Sequence, residues 1–357
     1  MTAEANALLE ASPRADLAGS RVAWVDVAKG WCIILVVTMH STLGVGLALG
    51  ESGWLHTIVA FAKPFRMPDF FMVAGLFAAS AVAKPWRTYL DRKVVHFAYF
   101  FALWLGIILL VKARELQIMD PARFLGQYLW AFIEPFSTMW FIHLLPIFFV
   151  VLRLIWNWPI WVGMVFAMTL HLAAAFHLID DPYALASAWT PFSVANNFSL
   201  FFVFFYVGAK AAGPILHLAA IASVSHGPAA IGISLWLVLH AWLVYAGLSD
   251  VPGIGFVLGL VGALAIATIS AVLAIYAPFQ IFAMLGARSL IIYLSFVIPM
   301  ALTRIAIVNT GLVTNVDAAS IAVIVSAIGV SLAFSSLIRK TPLSFLYRRP
   351  YWARLEH

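Results

Sequence analysis

The sequence predicts an all-α polytopic membrane protein with about ten transmembrane helices and both termini in the cytoplasm, and three observations support this fold class. Of the 357 residues, 64% are apolar and only 10% are charged, against roughly 25% charged residues in a soluble domain. The mean hydropathy is +1.00, which is too high for a chain that must cover a globular core with a polar surface. Apolar runs of about 20 residues, long enough to cross a bilayer as helices, recur along the chain.

The predicted spans follow in order from these apolar runs and from the short polar connectors between them. The longer connector 112–138 carries Phe124 and Tyr128 at helical spacing, which predicts an amphipathic helix on the membrane surface. Residues 54–66 form a similar short apolar run that Pro64 interrupts. The ten predicted spans are 27–49, 67–83, 94–111, 139–156, 158–178, 194–212, 229–247, 253–275, 287–308 and 318–338.

The placement of positive charge sets the predicted orientation. With a cytoplasmic N-terminus and ten crossings, 15 of the 21 Lys and Arg residues lie in cytoplasmic segments and 6 lie on the outer side, as the positive-inside rule requires. The net charge of +6 is therefore a topology signal, and we expect no nucleic-acid partner. We expect a cytoplasmic segment at 1–25, one membrane domain at 26–340 and a basic cytoplasmic tail at 341–357 that ends in a sequence resembling a tag remnant.

Composition also excludes several classes of site. The single cysteine, Cys32, excludes an intrachain disulfide and a Cys-x-x-Cys metal site. His171 and His177 are six residues apart and lie on different helix faces, so we expect no metal. The first 20 residues lack an apolar core, and we therefore expect no cleavable signal peptide.

The first predicted span carries three ionisable residues, which are costly in a membrane and usually face the protein interior. Lys29 and His40 are 11 residues apart, which places them within about 20° of the same helix face and about 16 Å apart along the axis. Asp26 lies three residues before Lys29, within reach of its side chain. The pattern favours a Lys–Asp pair at the cytoplasmic mouth and an imidazole deeper in the membrane. The alternatives are an interfacial anchor and a histidine that bonds two helices.

Five segments follow one another in a characteristic order. Residues 24–30 (WVDVAKG) and His40 combine a basic residue, ten intervening residues and a histidine. The other segments are 67–75 (MPDFFMVAG), 92–99 (RKVVHFAY), 138–141 (TMWF) and 285–293 (LGARSLIIY). Together they resemble the acyltransferase-3 family, bacterial inner-membrane proteins that O-acylate surface or periplasmic glycans. Asp69 stands where that family tends to have an apolar residue.

The resemblance implies transfer of an acyl group, with acetyl the leading candidate, from cytoplasmic acetyl-CoA or another acyl-CoA to a hydroxyl group of a periplasmic or exported glycan or glycolipid. His40 would deprotonate that hydroxyl group, and Lys29, held by Asp26, would act at the donor. The expected donor-binding residues are Arg87, Arg92, Lys93 and His96. The expected acceptor-binding residues are Trp140, His143, Arg66, Asp69 and Asn196, with an ion pair between Arg66 and Asp69.

Other functions stay open at this point. A proton-coupled transporter or flippase of an envelope glycan precursor would use Asp26, Lys29 and His40 as a proton relay. A catalytically silent export or sensing protein is a third reading. Cys32 is a candidate acyl-carrying nucleophile, although a lone membrane cysteine is usually a packing residue. We expect the bacterial inner membrane as the location and acyl-CoA, the acceptor and membrane lipids as partners, and the sequence leaves homo-oligomerisation open.

Overall fold

The computed structural model describes residues 23–179 and 193–355, which fold into helices without a β-strand. The all-α prediction is therefore confirmed for this part of the chain. A π-helical turn, Asp91–Val95, joins two of the helices. The helices are α1 (Ala23–Leu49), α2 (Trp54–Gly75), α3 (Ala78–Val82), α4 (Trp86–Leu90), α5 (His96–Lys112), α6 (Pro121–Trp130), α7 (Trp140–Leu154), α8 (Ile160–Ala175), α9 (Val194–Lys210), α10 (Ala212–Val224), α11 (His226–Tyr245), α12 (Ile254–Leu273), α13 (Gln280–Ala287), α14 (Ser289–Ser295), α15 (Val297–Thr310) and α16 (Val316–Ile338).

The prediction of a multi-pass membrane protein agrees with the length and composition of these helices. Within the described residues, two helix pairs, α9 with α10 and Ala277–Ala287 with Ser289–Ser295, are bent by 73° and 57° and would each add one broken span. The described chain thus supports six to eight spans, and the count of ten and the cytoplasmic termini stay predictions. The six helical segments that are long and apolar enough to cross a membrane are Ala23–Leu49, Trp86–Lys112, Ser137–Leu154, His226–Tyr245, Ile254–Leu273 and Val316–Ile338.

Helix α2 differs from its predicted boundaries. The sequence predicts an interruption at Pro64 and a span over 67–83, whereas α2 is one continuous helix that contains both Pro64 and Pro68. Gly259 of α12 lies close to the Pro64 carbonyl group and the Pro68 ring, so a neighbouring helix packs tightly against both prolines. Prolines are tolerated inside membrane helices where such neighbours support the chain. The predicted span 287–308 also differs, because it is divided into α14 and α15.

Helix α6 lies in the connector that was predicted to hold an amphipathic helix. The Asp120 side chain caps its first turn by accepting from a backbone N–H at 2.9 Å. Phe124 and Tyr128 pack against the hydrophobic core, whereas Leu125 and Leu129 on the other side are exposed. The amphipathic helix is confirmed, and its position on the membrane surface stays a prediction.

Helix α1 lies inside the bundle, in contact with α2, α12, α13 and α16. Two glycines allow the closest approach: Gly286 of α13 faces the Asp26 carbonyl group, and Gly30 of α1 faces the Phe282 carbonyl group, with no room for a Cβ atom at either position. Trp31 stacks on Phe282 with ring centroids 4.3 Å apart. This packing fixes α13 against the end of α1 that carries the predicted Lys–Asp pair.

Two polar contacts join α2 to later segments of the chain. Lys63 forms an ion pair with Asp250 at 2.7 Å. The Asp317 carboxylate accepts from the backbone N–H groups of Trp54 and Leu55 at 3.1 and 3.0 Å, and so caps α2. Both contacts connect segments that the orientation prediction assigns to the same, outer side of the membrane.

Candidate functional site

The predicted Lys–Asp pair is present at the start of α1. The Lys29 Nζ atom lies 3.7 Å from Asp26 Oδ1, with the Asp26 side chain only 11% exposed and the Lys29 side chain 35% exposed. The three-residue spacing puts both side chains on one helix face, which makes this contact possible. Lys29 therefore keeps a solvent-accessible ammonium group that Asp26 holds in place.

A second lysine lies near Lys29. Lys93, in the π-helical turn, is half-buried, and its ammonium group lies 4.6 Å from the centroid of the Phe149 ring. The Lys93 ammonium is within electrostatic reach of Lys29, Lys84 and Arg92. The structure thus assembles a cationic mouth from Lys29, Lys84, Arg92 and Lys93, in which residues from two distant segments of the sequence meet.

The two other expected donor-binding residues lie beside the C-terminal tail. Arg87 is exposed, and its Nε and NH2 atoms donate to the Leu355 carbonyl group at 2.9 and 2.6 Å. His96 packs edge-on against Phe100 and lies within electrostatic reach of Lys93 and Arg349. His96 therefore adjoins the cationic mouth, whereas the Arg87 guanidinium is engaged by the tail.

The tail itself is bound at Asp91. The Asp91 carboxylate forms an ion pair with Arg349 at 2.5 Å and accepts from the Leu355 backbone N–H at 2.6 Å. Trp104 of α5 donates its indole N–H to the Leu346 carbonyl group at 2.9 Å. These contacts place the predicted cytoplasmic tail next to the cationic mouth.

His40 differs from three other histidines of the bundle in its hydrogen bonding. It is half-buried, its ring lies 5.7 Å from the Phe296 ring, and among the described residues no hydrogen bond reaches either ring nitrogen. By contrast, backbone carbonyl groups lie 2.8–2.9 Å from ring nitrogens of His143, His171 and His240. Those three histidines connect their helices to neighbouring backbone, whereas both ring nitrogens of His40 are available for a substrate.

The predicted ion pair between Arg66 and Asp69 is wrong. Asp69 Oδ2 instead accepts from the Cys32 thiol at 2.9 Å. Arg66 lies close enough to His40 for its charge to act on the imidazole. The two side chains therefore lie near different residues of α1, Asp69 near Cys32 and Arg66 near His40. The three-residue spacing would allow an ion pair between them, but none forms.

Two of the expected acceptor-binding residues face different neighbours. Trp140 packs against Phe71 and Phe201, with ring centroids 6.1 and 5.6 Å apart. His143 is turned towards α5, where its ring lies 4.9 Å from Phe101. Trp140 thus contacts α2 and α9, whereas His143 contacts α5.

The opening of α9 holds two adjacent asparagines, Asn196 and Asn197, which the sequence offers as a lining of the acceptor side. Asn196 is half-buried, and its backbone N–H donates to the Ser193 hydroxyl group at 3.4 Å. The next residue, Asn197, is buried, and its Nδ2 group has no partner among the described residues. A buried asparagine amide that the described residues leave without a partner is a candidate ligand-binding group.

The five motif segments meet in the folded bundle. Cys32, two residues after the first segment on α1, donates its thiol to Asp69 of the second, and the Phe71 ring lies 4.8 Å from that of Phe141 in the fourth. The late segment contacts the first through Gly286 and the fourth through Tyr293, whose hydroxyl group donates to the Thr138 carbonyl group. The third segment contributes Lys93 to the cationic mouth. Residues 23–179 and 193–355 contain no cluster of three or more His, Cys, Asp or Glu side chains placed to hold a metal ion.

A multi-helix bundle with apolar helices of membrane-spanning length, and ionisable residues along one of them, is typical of a polytopic membrane protein. The chain belongs to the acyltransferase-3 family, because the sequence model of that family, described as an acyltransferase domain, matches residues 22–340. The resemblance drawn from the motifs is thereby confirmed.

One curated relative is similar to part of the chain. The inner membrane protein YcfT of Escherichia coli (strain K12) is 25% identical over 209 residues, which cover 52% of this chain and 56% of that protein. The match thus spans about half the length of the relative. No solved structure matches the chain at a significant level.

Proposed function

We propose that the protein is a bacterial inner-membrane O-acyltransferase. It moves an acyl group, with acetyl the leading candidate, from cytoplasmic acyl-CoA to a hydroxyl group of a periplasmic or exported glycan or glycolipid. The observation that carries the proposal is the arrangement along α1. Lys29 lies in a cationic mouth, and His40, about 16 Å further along one helix face, has no hydrogen bond from the described residues.

The donor end follows from the charges at the mouth. The phosphate groups of acyl-CoA are polyanionic, and Lys29, Lys93 and Arg92 offer separate cationic groups to them. Asp26 limits the freedom of the Lys29 side chain. With its phosphates held at the mouth, the long flexible arm of the donor extends along α1 and carries the thioester towards His40.

The chemical step needs one proton acceptor. His40 takes the proton of the acceptor hydroxyl group while the oxygen attacks the thioester carbonyl carbon. The tetrahedral intermediate then collapses, the carbon–sulfur bond breaks, and the CoA thiolate takes the proton from the imidazolium. The new ester stays on the acceptor, free CoA leaves on the donor side, and His40 returns to its neutral form.

A transporter or flippase is the second candidate, because Arg66 and Asp69 place two further ionisable groups inside the helix bundle, and such groups often mark transport pathways.

The test is incubation of the purified protein with radiolabelled acetyl-CoA and envelope glycans. We expect label in the glycan with an equal amount of CoA released, and loss of both in a His40→Gln protein. The matched control is His177→Gln, at an exposed histidine. If the protein moves a glycan precursor across the vesicle membrane and no label enters the glycan, the result would favour the transporter.

A further inference from the structure

Two arginines that form no ion pair within the described chain lie on helices packed against α1. Arg66 of α2 has its Nε and NH1 groups buried without a hydrogen bond from the described chain. Arg304 of α15 has its guanidinium against Gly44, one helical turn past His40, where a Cβ atom would meet it. The ion pairs of residues 23–179 and 193–355 involve neither arginine.

Three acids of the bundle are engaged by other groups. Asp69 accepts from the Cys32 thiol. Asp317 caps α2, and Asp250 pairs with Lys63. The positive charge of Arg66 and Arg304 is therefore not neutralised by these carboxylates.

An unpaired guanidinium inside a membrane domain is costly, since a buried charge needs a partner or a water-filled cavity. Ionisable residues inside a membrane domain usually line a substrate pathway. The planar guanidinium fork matches carboxylate and phosphate groups in a two-point contact. The donor phosphates do not supply this anion, because the cationic mouth that would hold them lies at the other end of α1, about 16 Å from His40.

We propose that the acceptor is an anionic molecule whose phosphate or carboxylate group binds Arg66 and Arg304 while its hydroxyl group faces His40. This inference rests on the proposed function, and it adds the charge class of the acceptor. The anionic group could also belong to the donor, since an acyl group such as succinyl carries a carboxylate at its far end. The second measurement below distinguishes an anionic acceptor from an anionic acyl group.

The first measurement is binding to the full-length protein in nanodiscs, with free CoA present throughout. The probes are glucose 1-phosphate and glucose, at matched ionic strength. We expect glucose 1-phosphate to raise the melting temperature and glucose to have little effect. Arg66→Gln and Arg304→Gln should each weaken glucose 1-phosphate binding about tenfold or more, because each removes a charge-assisted hydrogen bond. Arg123→Gln, an exposed arginine of α6, is the matched control and should bind as the wild type does.

These binding measurements test the inference independently of enzymatic activity. Equal stabilisation by glucose and glucose 1-phosphate, or none by either, would overturn it. Unchanged glucose 1-phosphate binding in the Arg66→Gln/Arg304→Gln double variant would overturn it as well.

The second measurement is transfer of label from acetyl-CoA to envelope material that anion exchange divides into neutral and anionic pools. We expect label in the anionic pool, and label confined to the neutral pool would contradict the inference. Faster transfer from succinyl-CoA than from acetyl-CoA, with the difference lost in the arginine variants, would assign the arginines to the acyl group instead. Selective anion binding without any transfer would refute the proposed function while leaving the anion site in place.

Discussion

The hydroxyl group of Tyr293 donates a hydrogen bond to the backbone carbonyl group of Thr138, a residue 155 positions earlier in the chain. The same hydroxyl accepts from the backbone N–H of Ile142 at 3.4 Å. The Tyr293 ring is buried and lies edge-on to Phe141, with centroids 5.5 Å apart. One side chain thus fixes the late motif segment to the first turn of α7.

Tyr293→Phe tests this connection. The ring stays, but the buried Thr138 carbonyl group loses its donor, so we expect the free energy of unfolding to fall by about 1–2 kcal/mol. Thermal melting of the purified protein measures the change. Tyr245→Phe is the control, since the Tyr245 hydroxyl also donates to a backbone carbonyl, that of Thr57, at an exposed position. Equal losses of stability in both variants would mean that the buried Tyr293 hydrogen bond contributes no more than the exposed one of Tyr245.

Gly286→Ala tests the contact between α13 and α1. A methyl group at this position would collide with the Asp26 backbone, and inserted volume in a packed interior costs about 1–3 kcal/mol. We expect a lower melting temperature and a displaced Lys29, seen as a higher KM for acyl-CoA. Gly329→Ala, at a helical glycine with open space around it, should be neutral or stabilising. A Gly286→Ala protein with wild-type melting and kinetics would contradict the packing.

The sequence could predict the helices because each apolar run reports directly on burial in lipid or protein. Eight of the ten predicted spans have one described helix at nearly the predicted place, and the two exceptions, 67–83 and 287–308, are instructive. Pro64 indicates a break when only local propensity is considered, but α12 packs against that position and the helix continues. The bend between α13 and α14 was missed for a related reason, because it depends on how the late segment packs and not on its hydropathy.

Predicting the candidate site was harder, because spacing along one helix fixes relative positions only on that helix. The pairing of Asp26 with Lys29 followed from a three-residue spacing and was confirmed. The pairing of Arg66 with Asp69 had the same spacing and was wrong, since Cys32 on a neighbouring helix takes the carboxylate. Contacts between helices decide which local pairs form.

Labelling tests the predicted orientation. Cys32 is buried, so a membrane-impermeant maleimide should react little with the unmodified protein. We expect Arg348→Cys to react only from the cytoplasmic side and Asp250→Cys only from the outer side, since both positions are exposed. Measuring both in right-side-out and inverted vesicles gives each variant its own control. Labelling of position 348 from outside would reverse the orientation and move the cationic mouth away from cytoplasmic acyl-CoA.

Donor binding is tested at the cationic mouth. Lys93→Gln should raise the KM for acyl-CoA about tenfold or more, because a half-buried ammonium makes a strong charge-assisted contact. Arg92→Ala, at an exposed position, should raise it only about two- to fivefold. Initial rates at varied acyl-CoA measure both, and Arg339→Gln, an exposed arginine at the end of α16, is the control. If Lys93→Gln leaves the KM for acyl-CoA unchanged, the cationic mouth does not bind the donor, and its charges serve only to orient the chain in the membrane.

The last prediction concerns His40. If it is the general base, His40→Ala should lower turnover about 10²–10⁴-fold while acyl-CoA binding stays nearly intact, because the donor contacts lie about three helical turns away. His40→Gln keeps a hydrogen-bonding side chain but cannot accept the proton, so it should be almost as inactive. High acceptor concentration should restore neither variant, since the defect lies in the chemical step. Initial rates and equilibrium acyl-CoA binding measure the two effects separately.

A structural histidine would behave in the opposite way, and His143 supplies the comparison. His143→Gln should lower the melting temperature more than turnover, because the His143 ring nitrogen lies 2.9 Å from the Phe132 carbonyl group and joins two parts of the bundle. His40→Gln should do the reverse, because the described chain gives its ring no hydrogen bond that glutamine would replace. Wild-type turnover in a well-folded His40→Gln protein would refute the assignment of His40 as the base, and it would favour the transporter.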